Sequence, residues 1–314
     1  MLSIFLTITP VFILIIVGYA AVKSNFVTAS LGDALNAYAV KIAVPILLFR
    51  AMAELEFNQA ISGPLLLSFY TGAFACFVLG IIGARTLFKR RPGESVSIGF
   101  GATFSNSVLL GIAIVERSHG ANALLPTYGI IAFHASSIYI VGMVTMELMR
   151  RDGRPLGETL VSAGKSIITN PLMIGILAGV AFNLSGLPLI DPFETATSMI
   201  AASAIPAALV GIGASMTQYK MASGIRESTF IAFLSLLVHP MIVFLLAYFV
   251  FDLEPIMTLA AVTIAAMPPG VNIYIFAAMY KRAEDVAASA FLLSTIVSVV
   301  TITLWLWLLQ AAIT

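Results

Sequence analysis

The sequence is poor in charged residues. Lys, Arg, Asp and Glu make up 10% of its 314 residues, whereas about 25% is typical of soluble domains. Because 60% of the residues are hydrophobic, a soluble protein of this length would expose apolar side chains over most of its surface. The net charge of +1 provides no basic face for nucleic acid. These values exclude a soluble enzyme, a disordered chain and a nucleic-acid binder, and they predict a protein that lies in lipid.

Residues that usually hold metals or carry out catalysis are also scarce. The one cysteine, Cys76, allows neither an internal disulfide nor a cysteine metal cluster. The three histidines are too scattered for an H-E-x-x-H zinc motif, and no G-x-S-x-G elbow or phosphate-binding loop occurs. We therefore expect no cofactor and no metal site, and neither an enzyme nor an ATP-driven pump.

Ten stretches are long and apolar enough to cross a membrane, since a spanning helix needs about 20 largely apolar residues. The sequence thus predicts an all-α polytopic membrane protein with ten transmembrane helices. These stretches, called segments 1 to 10, cover approximately residues 3–22, 32–52, 63–88, 95–115, 122–148, 165–184, 195–216, 228–251, 256–279 and 287–309.

The distribution of basic residues predicts the orientation of the chain. Of the 16 Lys and Arg residues, 13 lie in the gaps after odd-numbered segments. Basic residues are enriched in cytoplasmic loops. We therefore expect these gaps to face the cytoplasm and both termini to lie outside.

The two halves of the chain resemble each other at an offset of 161 residues. Segments 4 and 9 match best at an offset of 163. Because each half holds five segments, the halves should insert with opposite orientations, as is typical of secondary transporters. We expect repeats at residues 1–155 and 156–314. The matching positions include Pro10 with Pro171, Gly18 with Gly179, and Pro45 with Pro206.

Segments 4 and 9 each contain residues that disfavour a continuous helix, and these residues lie at corresponding positions. Proline removes a backbone donor, and Asn or Ser side chains compete for backbone groups. Paired interruptions of this kind predict a binding site, and the exposed N–H groups and helix dipole favour an anion. The alternative is a packing kink with hydrogen bonds to neighbouring helices. The residues concerned are Ser105, Asn106 and Ser107 in segment 4 and Pro268, Pro269 and Gly270 in segment 9.

Two motifs resemble the auxin efflux carrier family, which includes plant PIN carriers and bacterial malate/malonate-type permeases. They are FSNSVLLGIAI in segment 4 and AAMPPGVNIYIFAAMYKRAEDVAASAFLLSTIVS in segments 9 and 10. Asn106 matches the family's asparagine in the first interruption, and Pro268-Pro269 match its second. The resemblance implies a five-plus-five inverted repeat, similar to the bile acid:sodium symporter fold, with broken crossover helices at segments 4 and 9.

The resemblance also implies a division of labour and a class of substrate. Segments 1, 2, 6 and 7 would form a scaffold and a possible homodimer interface, and segments 3–5 and 8–10 a moving transport domain. The substrate would be a small organic anion, auxin-like or malate/malonate-like, carried by an elevator type of alternating access across a bacterial inner membrane. The acidic sodium ligands of the symporters are missing, so we expect a proton rather than sodium as any coupling ion.

Further candidates lie outside the two interruptions. Asn272 and Tyr274 follow the second interruption, and His134 and Tyr139 form a polar patch in segment 5. His134 could relay protons or bind substrate, or it could only bond a neighbouring helix.

Segments 2, 7 and 8 hold the remaining candidates. Pro45 and Pro206 are candidate hinges, and Lys41 could serve as an anion counter-charge or extend to the interface. His239, beside Pro240, is expected to pack.

These observations predict a secondary carrier that moves a small organic carboxylate through the membrane. Its expected partners are the substrate and membrane lipid. The first alternative is a membrane sensor or receptor that binds a carboxylate without flux. The second is an intramembrane enzyme, which would need a nucleophile–base pair or a metal cluster.

Overall fold

The computed structural model describes residues 2–54, 62–150, 169, 171–219 and 224–313. Within these ranges the chain forms twelve helices, and the sole β-type interaction is an isolated bridge. The helices are α1 Leu2–Lys23, α2 Ser30–Ala53, α3 Gly63–Thr86, α4 Pro92–Thr103, α5 Ile112–His119, α6 Leu124–Arg150, α7 Pro171–Ser185, α8 Phe193–Met216, α9 Ile225–Val250, α10 Pro255–Ala265, α11 Asn272–Tyr280 and α12 Glu284–Ile313.

Seven of the described helices are long and apolar enough to cross a membrane, namely α1, α2, α3, α6, α8, α9 and α12. Two more, α7 and α10, are apolar but shorter. This confirms a polytopic, helical membrane protein. The count of ten crossings stays a prediction, because segments 4 and 9 each consist of two short helices. Segment 6 begins at residue 165, outside the described residues.

The surface is apolar, as expected of a protein that faces lipid. Large side chains such as Ile16, Leu67 and Phe249 are more than half exposed. Several buried hydroxyls donate to backbone carbonyls: Thr103, for example, donates to the carbonyl of Ala73 on α3. In lipid such internal pairing is required, because no solvent can satisfy a polar group.

Single prolines do not unwind these helices. Pro206 lies inside α8 without interrupting it. Pro45 follows a π-helical turn, Ala39–Ala43, in which the N–H of Val44 donates to the carbonyl of Ala39. The wider turn accommodates a residue that lacks an N–H group. The hinges predicted at Pro45 and Pro206 are therefore continuous helix in this structure, and their motion stays a prediction.

The helices form two packed groups. In the first group α1 packs on α8, and α2 packs on α7 and α8. In the second group α3 packs on α4 and α9, while α12 packs on α9 and α11. The groups meet where α1 contacts α5 and α12, and where α8 contacts the π-helical turn Ser107–Gly111. The second group includes all four short helices that flank the predicted interruptions.

Glycines allow the closest approaches within the first group. A Cβ atom at Gly18 would collide with the carbonyl of Val210, and one at Gly179 would collide with the carbonyl of Phe49. Gly179 lies 161 residues after Gly18, and Phe49 lies 161 residues before Val210. The two contacts are therefore the same contact with the halves of the chain exchanged.

A second pair of contacts obeys the same offset. The side-chain amide of Asn36 donates to the carbonyl of Gly211 at 3.4 Å, and the guanidinium of Arg50 donates to the hydroxyl of Thr197 at 3.0 Å. Adding 161 to 36 gives 197, and adding 161 to 50 gives 211. The packing thus follows the sequence offset, while the opposite orientation of the halves stays a prediction.

Candidate functional site

The helix of segment 4 is interrupted where the sequence predicts. α4 ends at Thr103, and the backbone then leaves helical geometry, with ψ of 88° at Phe104 and 57° at Asn106. The chain becomes helical again in the π-helical turn Ser107–Gly111, which leads into α5. Segment 9 is interrupted in the same manner, since α10 ends at Ala265 and α11 begins at Asn272.

The two interruptions pair with each other, and together they are called the paired breaks. The backbone N–H of Asn106 donates to the carbonyl of Pro268 at 2.8 Å. An antiparallel bridge joins Ser105 to Pro269. Unwound backbone within a membrane needs internal partners, and each break supplies partners to the other. Pro268 cannot donate a hydrogen bond, and in this pairing it serves as an acceptor.

The break residues differ in their exposure. Ser105 and Ser107 are 2% and 1% exposed, and Pro268, Pro269 and Gly270 are buried. Asn106 and Asn272 are only partly buried. Asn106 and Asn272 are therefore the polar residues of the breaks that keep some exposure.

The side chain of Asn106 rests on the bare backbone of Gly270. A Cβ built at Gly270 would lie 3.3 Å from Cγ and 3.4 Å from Cβ of Asn106. A side chain at position 270 would therefore press on Asn106. Glycine at this position lets the first break pack closely against the second.

Helix α6 contributes one polar side chain to each break. The hydroxyl of Tyr139 donates to Oδ1 of Asn272 at 3.3 Å. Nε2 of His134 lies 3.4 Å from Oγ of Ser105, and the tautomer of the ring decides which atom donates. The structure thus brings both predicted α6 residues to the paired breaks.

An aromatic cluster borders these polar groups. The rings of Phe100 and Phe276 stack at a centroid distance of 3.9 Å and an interplanar angle of 5°. Phe104 lies 5.1 Å from the ring of His134, and Tyr139 lies 5.2 Å from Phe100. The sequence analysis missed this cluster. The spacing of Phe100 and Phe104, one helical turn apart, was the available signal.

The other candidate residues are Tyr274, Lys41, Pro206 and Pro45. Tyr274 packs on Tyr219 at a ring distance of 4.9 Å. Lys41 is exposed on α2, and Pro206 is exposed on α8. Pro45 lies against Gly175 of α7, where a Cβ would collide with the Pro45 backbone.

The electrostatics of the paired breaks favour a negative ligand. None of the break residues or of their α6 contacts is acidic, and His134 is their only basic side chain. α11 begins at the second break, where the N–H groups of Ile273 and Tyr274 donate to the carbonyls of Gly270 and Val271. The positive end of the helix dipole lies at the same place. Among the described residues no cluster of His, Cys, Asp or Glu could hold a metal ion.

Paired interrupted helices in a polytopic membrane protein are typical of membrane transporters. The profile of the family described as "Membrane transport protein" matches residues 3–306, and the chain belongs to that family. The match confirms the resemblance to the auxin efflux carriers. It establishes an integral, multi-pass membrane transporter, and it places the chain outside the enzymes.

Three curated proteins are similar to the chain. One from Rhizobium meliloti, named "Putative malonate transporter", is 23% identical over 306 residues, which are 97% of this chain and 95% of that protein. An "Uncharacterized transporter" of Methanothermobacter thermautotrophicus is 22% identical over 305 residues, covering 95% and 96%. The "Lysosomal cholesterol signaling protein" of Mus musculus is 24% identical over 194 residues, or 54% of this chain and 21% of that protein.

Proposed function

We propose that the protein is a secondary carrier of a small organic carboxylate, which binds at the paired breaks. The observation that carries this proposal is the joining of the two breaks by the hydrogen bond from Asn106 to Pro268. It places Asn106 and Asn272 beside the N-terminus of α11. Ser105, Ser107 and the backbone of residues 268–270 would form the floor of the site.

A carboxylate fits this chemistry better than a cation does. Amide N–H₂ groups donate hydrogen bonds, and the positive end of the α11 dipole would face the ligand. No acidic side chain is present among the contacts named above to hold a cation. The hydroxyl of Tyr139 already donates to Oδ1 of Asn272. This bond fixes the orientation of that amide, so that its N–H₂ group is available to the substrate.

The substrate class that we propose is a short dicarboxylate such as malonate. The name of the Rhizobium meliloti relative, which aligns with nearly the whole chain, supports this choice. The two breaks offer a second argument, since each provides one partly exposed asparagine. Asn106 and Asn272 would each bind one carboxylate of a dianion.

We propose alternating access of the elevator type. The group α1, α2, α7 and α8 would be the scaffold, because glycine contacts hold its helices backbone to backbone. The remaining helices would move as the transport domain and carry the paired breaks with them. The mirrored contacts at the 161-residue offset support a repeat that provides two related states.

We further propose that the protein lies in a bacterial inner membrane with both termini outside. The 13 basic residues after odd-numbered segments support this orientation. Arg90, from one such gap, bonds Glu227 at the start of α9. This bond joins two parts of the chain that the orientation places on the same, cytoplasmic side. A homodimer through the scaffold helices completes the proposal.

Ligand-induced stabilisation tests the site. Purified protein is heated with malonate, malate, succinate or indole-3-acetate, and the midpoint of unfolding is recorded. A ligand that binds only the folded protein adds about RT ln(1 + [L]/Kd) to its stability. We expect a shift with a dicarboxylate in the wild type and a much smaller shift in Asn106→Ala. An unchanged shift in Asn106→Ala removes the site assignment. Asn25→Gly is the matched control, because Asn25 lies outside the helices with φ of 59°.

Flux distinguishes a carrier from a sensor. The name of the mouse relative, a signaling protein, favours the sensor as the second candidate. Radiolabelled malonate is trapped in proteoliposomes, and its exchange with external malonate is followed. A carrier equilibrates the label, whereas a sensor binds malonate but leaves the label inside.

A further inference from the structure

Among the described residues, His134 is the ionisable group that combines full burial with contact to a break. Its side chain is 2% exposed, and its Nε2 lies 3.4 Å from Oγ of Ser105. Its other ring nitrogen, Nδ1, is buried and has no hydrogen-bond partner in the described part of the chain. A buried polar atom without a partner costs free energy. The imidazole therefore has an unused position that a proton could occupy.

The surroundings of His134 do not favour a charge in the empty protein. Phe69 and Phe104 lie against the ring at centroid distances of 5.6 and 5.1 Å. Two titratable side chains share these aromatic neighbours, and neither is an anion: His239 on α9 contacts Phe69, and Tyr139 on α6 contacts Phe104. An isolated imidazolium in this environment would be costly, because burial in a low dielectric penalises a lone charge. The empty site should hold a neutral ring.

The same physics opposes a lone anion at the paired breaks. A carboxylate leaves water to enter a buried site, and hydrogen bonds with a helix dipole compensate that cost only in part. If a proton and a carboxylate arrive together, each charge reduces the cost of the other. Flanking aromatic rings also stabilise a cation within about 6 Å of their centroids.

We propose that His134 is the proton-binding site of the carrier and that one proton binds to it with each carboxylate. The proposal rests on the function proposed above and names the coupling ion. The proton attaches to the free ring nitrogen, and the ring becomes an imidazolium. The Nε2–H group faces Ser105 and the first break. No covalent bond breaks, and the proton leaves when the carboxylate is released on the other side of the membrane.

His239 provides a matched control in the same helix group. It is 1% exposed, and its ring lies 5.1 Å from that of Phe69, which also contacts His134. Its Nε2 is buried and has no hydrogen-bond partner in the described part of the chain. It differs from His134 in lacking a contact with either break among the described residues. If burial and a free ring nitrogen were sufficient for proton coupling, both histidines would take part in it. The proposal requires them to differ.

Calorimetry of malonate binding measures proton uptake directly. The titration is done in two buffers of different ionisation enthalpy, at a pH where malonate is fully ionised. We expect uptake of one proton per malonate in the wild type and in His239→Gln, and none in His134→Gln. Reciprocal linkage also requires affinity to rise about tenfold for each unit of decreasing pH in the first two proteins. In His134→Gln the affinity should be lower and independent of pH.

Transport gives the second readout. An inward proton gradient across proteoliposomes should concentrate malonate with the wild type and with His239→Gln. His134→Gln should exchange malonate but not concentrate it. Exchange shows that this variant folds, and Ser105→Ala, which keeps the imidazole, should retain partial coupling.

Binding without proton uptake in the wild type overturns this proposal alone. Coupling that survives in His134→Gln does the same, whereas absence of carboxylate binding overturns the proposed function.

Discussion

The backbone N–H of Asn106 donates to the carbonyl of Pro268, and each interruption thereby completes the other. The oxygen accepts at 2.8 Å, and the Ser105–Pro269 bridge lies beside this bond. At the 163-residue offset Ser105 corresponds to Pro268 and Asn106 to Pro269. The hydrogen bond is part of the bridge, and exchange of the halves converts the pair Asn106–Pro268 into the pair Ser105–Pro269. The substitutions below examine this arrangement and the packing that supports it.

Gly270→Ala should weaken malonate binding with little loss of fold stability. The new methyl group would lie 3.3 Å from Cγ of Asn106 and would push that amide out of place. We expect about a tenfold loss of affinity, or about 1.4 kcal/mol. Titration of malonate into the purified variant measures this change. Gly63→Ala is the control, because nothing lies within 4 Å of a Cβ there. Equal affinities of the two variants would contradict the role given to Asn106.

Tyr139→Phe isolates one hydrogen bond. The ring and its contact with Phe100 remain, but the donor to Asn272 is lost. A net hydrogen bond contributes about 0.5–1.5 kcal/mol, so malonate affinity should fall by about three- to tenfold. Tyr248→Phe removes a comparable hydroxyl bond of 3.3 Å at an exposed position, and it should leave affinity unchanged. A larger effect of the control than of Tyr139→Phe would argue against the site.

Gly18→Ala and Gly179→Ala should destabilise the protein to a similar extent. Each Cβ would collide with a backbone carbonyl, that of Val210 or that of Phe49. Overpacking of this kind costs about 1–3 kcal/mol. Thermal unfolding in detergent measures both variants against Gly63→Ala. A severe loss in one variant and no loss in the other would show that the mirrored contacts are not energetically equivalent.

The ion pair between Arg90 and Glu227 should contribute measurably to stability. Their atoms approach to 2.7 Å, and the side chains are 27% and 11% exposed. A double-mutant cycle with Arg90→Gln and Glu227→Gln should give a coupling energy of about 1 kcal/mol, reduced at high salt.

The pair Arg50–Glu54 is the comparison for that cycle. Its glutamate is 61% exposed, and its coupling should be close to zero because solvent screens it. Equal coupling energies in the two cycles would show that burial does not strengthen the Arg90–Glu227 pair.

The interruptions could be predicted from sequence because their causes are local. Two prolines and a glycine, or an asparagine between serines, disfavour a helix whatever surrounds them. The structure places both interruptions at these residues. Close helix packing was also visible in part, since Gly18 and Gly179 matched in the repeat. Single prolines carried less information: Pro206 alone does not end its helix.

The direction in which a side chain points could not be predicted, because it depends on how each helix rotates against its neighbours. Asn272 and Tyr274 both follow the second break, and sequence alone grouped them. In the structure Asn272 meets Tyr139, whereas Tyr274 meets Tyr219. The stacking of Phe100 on Phe276 joins residues 176 positions apart, and no local pattern specifies that pairing.

The mirrored glycine contacts bear on the resting state of the carrier. Two identical halves would give inward-facing and outward-facing forms equal free energies, and neither form would predominate without a gradient. The halves are unlike at the breaks, where Ser-Asn-Ser in one corresponds to Pro-Pro-Gly in the other. The preference of the unloaded protein for one side of the membrane would then depend on such unlike residues.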